Sequence, residues 1–201
     1  MSTDMTLLKN NTPPSSHQYL FWVDLEMTGL NPDECTIIEI ASIITDGQLR
    51  LISEGPCLII GQSQTVLDKM DDWNQRHHRQ SGLYEKVLNS RVSLEEAEMQ
   101  TLDFLKKFSP ARKVPLCGNS IWQDRRFLCR YMPRLETYLH YRNVDVSSVK
   151  EIVKRWFPNG KQFPKEGKNH RALDDIRKSI EELKFYREHY FIQTEQQGDL
   201  L

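Results

Sequence analysis

Residues 36–45 read TIIEIASIIT, a run that is nearly all apolar. It is far shorter than the roughly 20 residues a membrane-spanning helix needs. A run of this length and composition is a strand covered on both faces, so the fold must pack layers on either side of a sheet. The flanking segments agree. Tyr19-Leu20-Phe21-Trp22-Val23-Asp24-Leu25-Glu26 is rich in aromatic and branched residues and predicts a first strand. Asp46-Gly47 is a hairpin turn signal. A third strand is expected over 49–60, with a bulge or bend at Gly55-Pro56.

Helical periodicity takes over beyond these strands. Ser93-Leu94-Glu95-Glu96 is a capping box. The apolar stripe after it holds Leu94, Ala97, Leu102, Leu105 and Phe108, and Ser109-Pro110 should end it. Residues 114–117 predict a short strand, and Gly118-Asn119-Ser120 turns into a helix running to Tyr131. Residues 144–146 predict a last strand. A helix is expected from Ser148 to Phe157, before Pro158-Asn159-Gly160, and a final one from Ala172 with Leu173, Ile176, Ile180 and Leu183 facing inward. Three consecutive strands, then helices alternating with single strands, describe an α/β fold. The order fits a ribonuclease-H-like architecture, a mixed five-stranded sheet flanked by helices. One domain is expected over 19–191, between a polar tail at 1–18 and a C-terminal tail at 192–201.

The balance of 27 basic and 28 acidic residues gives a net charge of −1. Binders of long duplex nucleic acid neutralise many phosphates and are usually basic, so that class is disfavoured. A site that grips two or three phosphates remains open. Residues 150–171 carry a local excess, seven Lys/Arg against two acids, which is either a solvated face or a phosphate-facing one. No apolar run could span a bilayer, no charged-then-apolar leader is visible, and no arginine precedes Arg50. The expectation is a cytoplasmic chain without a membrane partner. Cys35, Cys57, Cys117 and Cys129 form no CxxC pair and read as reduced thiols.

Asp24 and Glu26 stand two apart in the first strand, so both carboxylates point to one face while Phe21, Val23 and Leu25 point to the other. Two such acids repel each other and are costly to desolvate, and a divalent cation removes that cost. Hard oxygen ligands suit Mg²⁺ or Mn²⁺. A solvated acidic edge strand would read the same way. Asp124 lies in the first turn of its helix, and Asp174 and Asp175 open the last one, where a simple match to the helix dipole is the alternative. His170 stands five residues before Asp175. On one helix that spacing would turn it about 140° away, so it is better placed on the loop just before, where it could act as a base.

FWVDLEMTGL (21–30), CGNSIWQDRRFL (117–128) and HRALDD (170–175) together resemble the three motifs of the DEDDh 3′→5′ exonuclease superfamily. Within it the chain is similar to the oligoribonuclease family over about residues 19–191, including IIEIA (37–41) and YRNVDVSSVKEIVKRW (141–156). The resemblance implies two divalent cations, Mg²⁺ or Mn²⁺, held by Asp24, Glu26, Asp124 and Asp175. It makes His170 the general base, and the His-x-Ala-x-x-Asp spacing selects Asp175 over Asp174. It implies very short RNA as substrate and nucleoside 5′-monophosphates as products. Leu30 would wedge between bases, with core packing as the alternative. Trp73 would stack on a base, with a contact at a helix start as the alternative. Ser120, His78 and Arg142 are candidates for the substrate's 5′ phosphate, with Tyr141 beside them, contributed across a homodimer interface. A DNA-trimming or longer-RNA exonuclease, or a silent RNA-binding module on the same fold, are the competing readings. The presence of all five catalytic positions speaks against the last.

Overall fold

The strand read from residues 36–45 is buried at every position from Ile37 to Asp46 and is paired on both edges, as its composition demands. A computed structural model describes residues 19–164 and 171–191. Its elements run β1 (Tyr19–Met27), β2 (Ile37–Asp46), β3 (Leu51–Ile59), α1 (Gln64–Leu67), α2 (Asp72–Gln80), α3 (Leu83–Asn89), α4 (Leu94–Lys106), β4 (Leu116–Gly118), α5 (Ile121–Tyr131), α6 (Pro133–Tyr138), β5 (Asn143–Asp145), α7 (Val146–Trp156) and α8 (Ala172–Tyr190). The five strands form one sheet in the order β3-β2-β1-β4-β5. β2 runs antiparallel to both β1 and β3, and β4 and β5 run parallel to β1. This is the mixed sheet expected.

Each face of β1 feeds a different core. Phe21, Val23 and Leu25 pack with Leu105 of α4 and Phe127 and Leu128 of α5. Trp22 packs on the other face with Ala41, Ile43, Val153 of α7 and Ile176 and Ile180 of α8. Its indole N–H donates to Thr45 Oγ1 at 3.0 Å, so the one polar atom of this fully buried ring is satisfied. Leu173 and Leu183 are half-buried against the same core, so the inward stripe of the last helix holds.

Three local features differ from expectation. The β2–β3 connection is a four-residue loop, with β3 starting at Leu51 instead of residue 49. Asp46 Oδ1 accepts from the backbone N–H of Gln48 and of Arg50, and the left-handed position falls on Leu49 (φ 64), not on Gly47. A non-glycine residue there costs about 1–2 kcal/mol. Burial of the Leu49 side chain in the Trp22 core, worth about 1.5–3 kcal/mol, offsets it. Second, α7 begins at Val146 and not at Ser148, because the Asp145 side chain caps it by accepting from Ser147 N. Third, α1, α2, α3 and α6 were not foreseen. The bulge at Gly55-Pro56 is present: register slips there, opposite Ser42. A side chain at Gly55 would collide with Ser42 Oγ and the Phe104 ring.

Candidate active site

Alternation along β1 places Asp24 and Glu26 on the face opposite Phe21, Val23 and Leu25. Those three buried residues, each worth about 1.5–3 kcal/mol, fix the strand against repulsion between the acids behind them. Asp175 comes from the first turn of α8, whose next residue, Ile176, is buried in the Trp22 core. One carboxylate oxygen each from Asp24, Glu26 and Asp175 lies within 4.8 Å of the others. Asp124 comes from the first turn of α5 and is buried, and its Oδ1 accepts from the backbone N–H of Leu25 at 3.0 Å. It thus bonds to β1 between Asp24 and Glu26, beside the trio. A charge placed merely to suit a helix dipole would not reach across to another strand.

Burial and neighbouring charge make the ionised form costly at three of these acids, Asp24, Glu26 and Asp124. Burial raises the Asp24 carboxyl well above the usual range, with the charges of Asp124, Glu26 and Asp175 adding to it. Burial, then the charge of Glu39, pushes Glu26 up to about 8. Burial pushes Asp124 up to about 7, against the opposing N–H of Leu25. Lys178 Nζ donates to Asp175 Oδ1 at 3.1 Å and offsets part of the charge. Clustered carboxylates with raised proton affinity are the donor set a hard divalent cation stabilises. The residues fit such an ion.

Asp24, Glu26 and Asp175 line a cavity of about 740 Å³ together with Asn119, Lys150 and Lys154. The basic tract is therefore split. Lys150 and Lys154 face the cavity, while Arg155 bonds to Glu151 on exposed surface. Lys150 also donates to Glu182 Oε1 at 2.8 Å, and Asn119 Nδ2 donates to Glu182 Oε2 at 3.1 Å.

The expected substrate contacts are dispersed around this cluster. Leu30 is exposed in the β1–β2 loop, which removes core packing as its role, and its carbonyl accepts from Gln123 of α5. The glycine before it is needed internally, because a Cβ at Gly29 would lie 2.7 Å from Cys35 Sγ. Trp73 is exposed on α2 and stacks on His77 at 4.8 Å between centroids. The cap of that helix is Asp71, not Trp73. His78 is buried, with Nε2 3.0 Å from the Met27 carbonyl and Nδ1 without a hydrogen-bond partner among the described residues. Its ring nitrogen, that of His77 and Glu26 converge within 4.8 Å. Ser120 sits at the start of α5 in a left-handed conformation (φ 50). Its N–H donates to Asp145 and Ser147, and its Oγ lies 3.0 Å from Ser147 Oγ. Tyr141 is exposed and stacked on His140, and the Arg142 guanidinium lies 5.5 Å from the Tyr141 ring centroid. Tyr141 and Arg142 are thus together, whereas His78 and Ser120 share no hydrogen bond. His170 lies outside the described residues. His77, Asn119 and Ser147 carried no signal in the sequence, since each depends on a neighbour distant along the chain.

The exonuclease family of RNase T type matches residues 21–183. Oligoribonuclease of Pseudomonas paraeruginosa is 57% identical over 173 residues, covering 86% of this chain and 96% of the relative. That of Acinetobacter baylyi is 55% identical over 175 residues, covering 87% and 96%. The chain belongs to the oligoribonuclease family of exonucleases. All four acids lie within the matched span, so the family assignment and the metal-ready cluster refer to the same residues. The oligoribonuclease fold extends to larger enzymes. Exonuclease I of Methylocaldum szegediense superposes with a TM-score of 0.66 at 18% identity, over 86% of this chain and 41% of the other. Escherichia coli Exonuclease I in complex with a 5cy-dT13 oligonucleotide gives 0.63 at 16% identity, over 86% and 41%. The chain spans about two fifths of those structures, and the likeness concerns the fold.

Proposed function

We propose that the chain is a 3′→5′ exoribonuclease that degrades very short RNAs, dinucleotides to pentamers, to nucleoside 5′-monophosphates. The observation that carries this reading is the convergence of Asp24, Glu26 and Asp175, with Asp124 bonded to the strand between the first two. The oligoribonuclease relatives support the substrate class. The four carboxylates would hold two divalent cations, Mg²⁺ or Mn²⁺, which when bound supply Lewis-acid activation of water and phosphate. Asp124 keeps the β1 backbone, and with it the spacing of Asp24 and Glu26, fixed. His170, just ahead of α8 in sequence, is assigned the role of the base that takes the proton of the attacking water. Leu30 and Trp73 present exposed apolar side chains suited to wedging and stacking on bases. Ser120, His78, Tyr141 and Arg142 are assigned to the 5′ end of the substrate, and His78 brings to that role a ring nitrogen with no hydrogen-bond partner among the described residues.

A homodimer and a cytoplasmic location complete the reading. Exposed Tyr141 and an apolar groove on α7, lined by Ile152, Trp156, Phe157 and Phe191, support the first. Free thiols at all four cysteines support the second. The test is a series of initial rates on 5′-phosphorylated RNAs of two to ten nucleotides with Mn²⁺ or Mg²⁺. Rates should fall with length, and a rise with length would sink the short-substrate reading. Asp175→Ala should lower turnover by more than about 100-fold, beyond what loss of an outer-shell partner costs, with the fold retained by circular dichroism.

A further inference from the structure

Arg125 directly follows Asp124 on α5, and its side chain is 14% exposed. A guanidinium carries five N–H donors in a rigid fork. Here the chain itself supplies five contacts to them. Nε donates to Glu136 Oε1 at 3.0 Å, and Nη2 donates to the same oxygen at 2.9 Å and to the His140 carbonyl at 3.0 Å. Nη1 donates to the Tyr141 carbonyl at 3.1 Å and to Asn143 Oδ1 at 2.7 Å. With its donors occupied, Arg125 has none to spare for a substrate phosphate. Its role must be sought in what it holds.

What it holds is the segment between α6 and β5. Residues 139–142 belong to no helix or strand, so sheet ladders do not fix the carbonyls of His140 and Tyr141. The two successive carbonyls instead point at one guanidinium. That guanidinium is anchored at its far side by Glu136 of α6 and grows from the turn that carries Asp124. Carbonyls of a free loop would take many orientations, and a planar fork bonded to two in a row, plus the side chain of Asn143, permits few. Tyr141 and Arg142, exposed and in ring-to-guanidinium contact, are the side chains this segment displays.

We infer that Arg125 is a positioning residue for recognition of the substrate's 5′ end, setting the place of Arg142 relative to the acid cluster of the same chain and presenting Tyr141 to the site across the dimer interface. The inference rests on the reading that these two side chains meet that end. Asp124 and Arg125 are neighbours on one helix, so the span from the cutting site to the Arg142 contact is fixed by a single rigid element. Such a span is what makes an exonuclease sensitive to substrate length. Lysine at 125 would keep the charge and lose the fork.

The experiment compares kcat and KM on a 5′-phosphorylated RNA dinucleotide and on its 5′-hydroxyl counterpart, in the full-length protein with Mn²⁺. Arg125→Lys should raise KM for the phosphorylated substrate by about tenfold, the size expected when charge-assisted hydrogen bonds lose their geometry. It should leave kcat, both constants on the hydroxyl substrate and Mn²⁺ affinity by calorimetry unchanged. Equal loss on both substrates, or loss in kcat alone, would mean a merely structural role and overturn the inference. Asn143→Ala removes one acceptor only and should shift the same ratio in the same direction by less. If Arg125→Lys does not fold, an unchanged ratio in folded Asn143→Ala overturns the inference as well. Arg142→Ala separates the layers. Retention of the 5′-phosphate preference there defeats the underlying 5′-end reading. Its loss there, with retention in Arg125→Lys, defeats the role of Arg125 alone.

Discussion

Glu26 faces Glu39 across the β1–β2 pair, and Arg171 bonds in a fork to Glu39. Burial, and then the neighbouring charge of Glu39, push Glu26 from 4.5 to about 8. The sign of the consequence follows from proton counts. Between these two values the folded, metal-free protein holds a proton that the unfolded chain releases, so stability is lost as pH rises through that window. In chelator, Tm should fall between pH ~5 and ~8, and Glu26→Gln should flatten the decline. Saturating Mn²⁺ should raise Tm increasingly with pH, because binding displaces those protons. A chelated protein whose Tm is flat or rises over the window would contradict the electrostatic account of the site. At this scale the sequence was informative about which acids matter, because strand alternation alone put Asp24 and Glu26 on one face. It was silent on Glu39 and Arg171, whose pairing joins β2 to the start of α8 across 132 positions. It was silent too on the burial of His78, since nothing local to a largely polar helix announces a buried ring.

The elements that were legible carry their signals within a few residues. The capping box of α4 is closed by Ser93 and Glu96, three apart, with Glu96 N donating to Ser93 Oγ at 3.1 Å and Ser93 N to Glu96 Oε2 at 2.8 Å. The elements that were missed are completed from elsewhere. α6 receives its cap from α4: Glu98 Oε1 accepts from Arg134 N at 2.6 Å and from Leu135 N at 3.1 Å. A buried carboxylate 36 positions away leaves no local trace. α3 starts from Gly82 (φ 70) with no side-chain cap, and α2 is polar apart from exposed Trp73, with only His78 buried. Glu98→Ala should therefore destabilise the protein by about 1–3 kcal/mol, the cost of leaving buried N–H donors unmet. Urea denaturation monitored by circular dichroism would read it, and an unchanged midpoint would show that water satisfies these donors instead.

Across the whole molecule, the site exists only as an outcome of topology. Asp24 and Glu26 come from the central strand, Asp124 from a helix that follows the parallel strand β4, and Asp175 from a helix packed on the opposite face. The sequence could name the acids, but their convergence needed the sheet order that sets β4 beside β1. The same scale decides assembly. Trp156 and Tyr141 are exposed aromatic rings, and a second copy of the chain is the proposed cover for the groove around Trp156. Sedimentation should give twice the 23.7 kDa chain mass, and Trp156→Glu should yield a monomer. A fully active monomer at micromolar concentration would rule the dimer out of the mechanism. The four tryptophans are also unequally placed: Trp22 is wholly enclosed beside Asp24, and Trp73, Trp122 and Trp156 face solvent. In the Trp156→Glu chain a water-soluble quencher will extinguish the emission of Trp73 and Trp122 and spare Trp22. The light that survives is then a label-free optical report from the strand that carries the acids, read while the cations load.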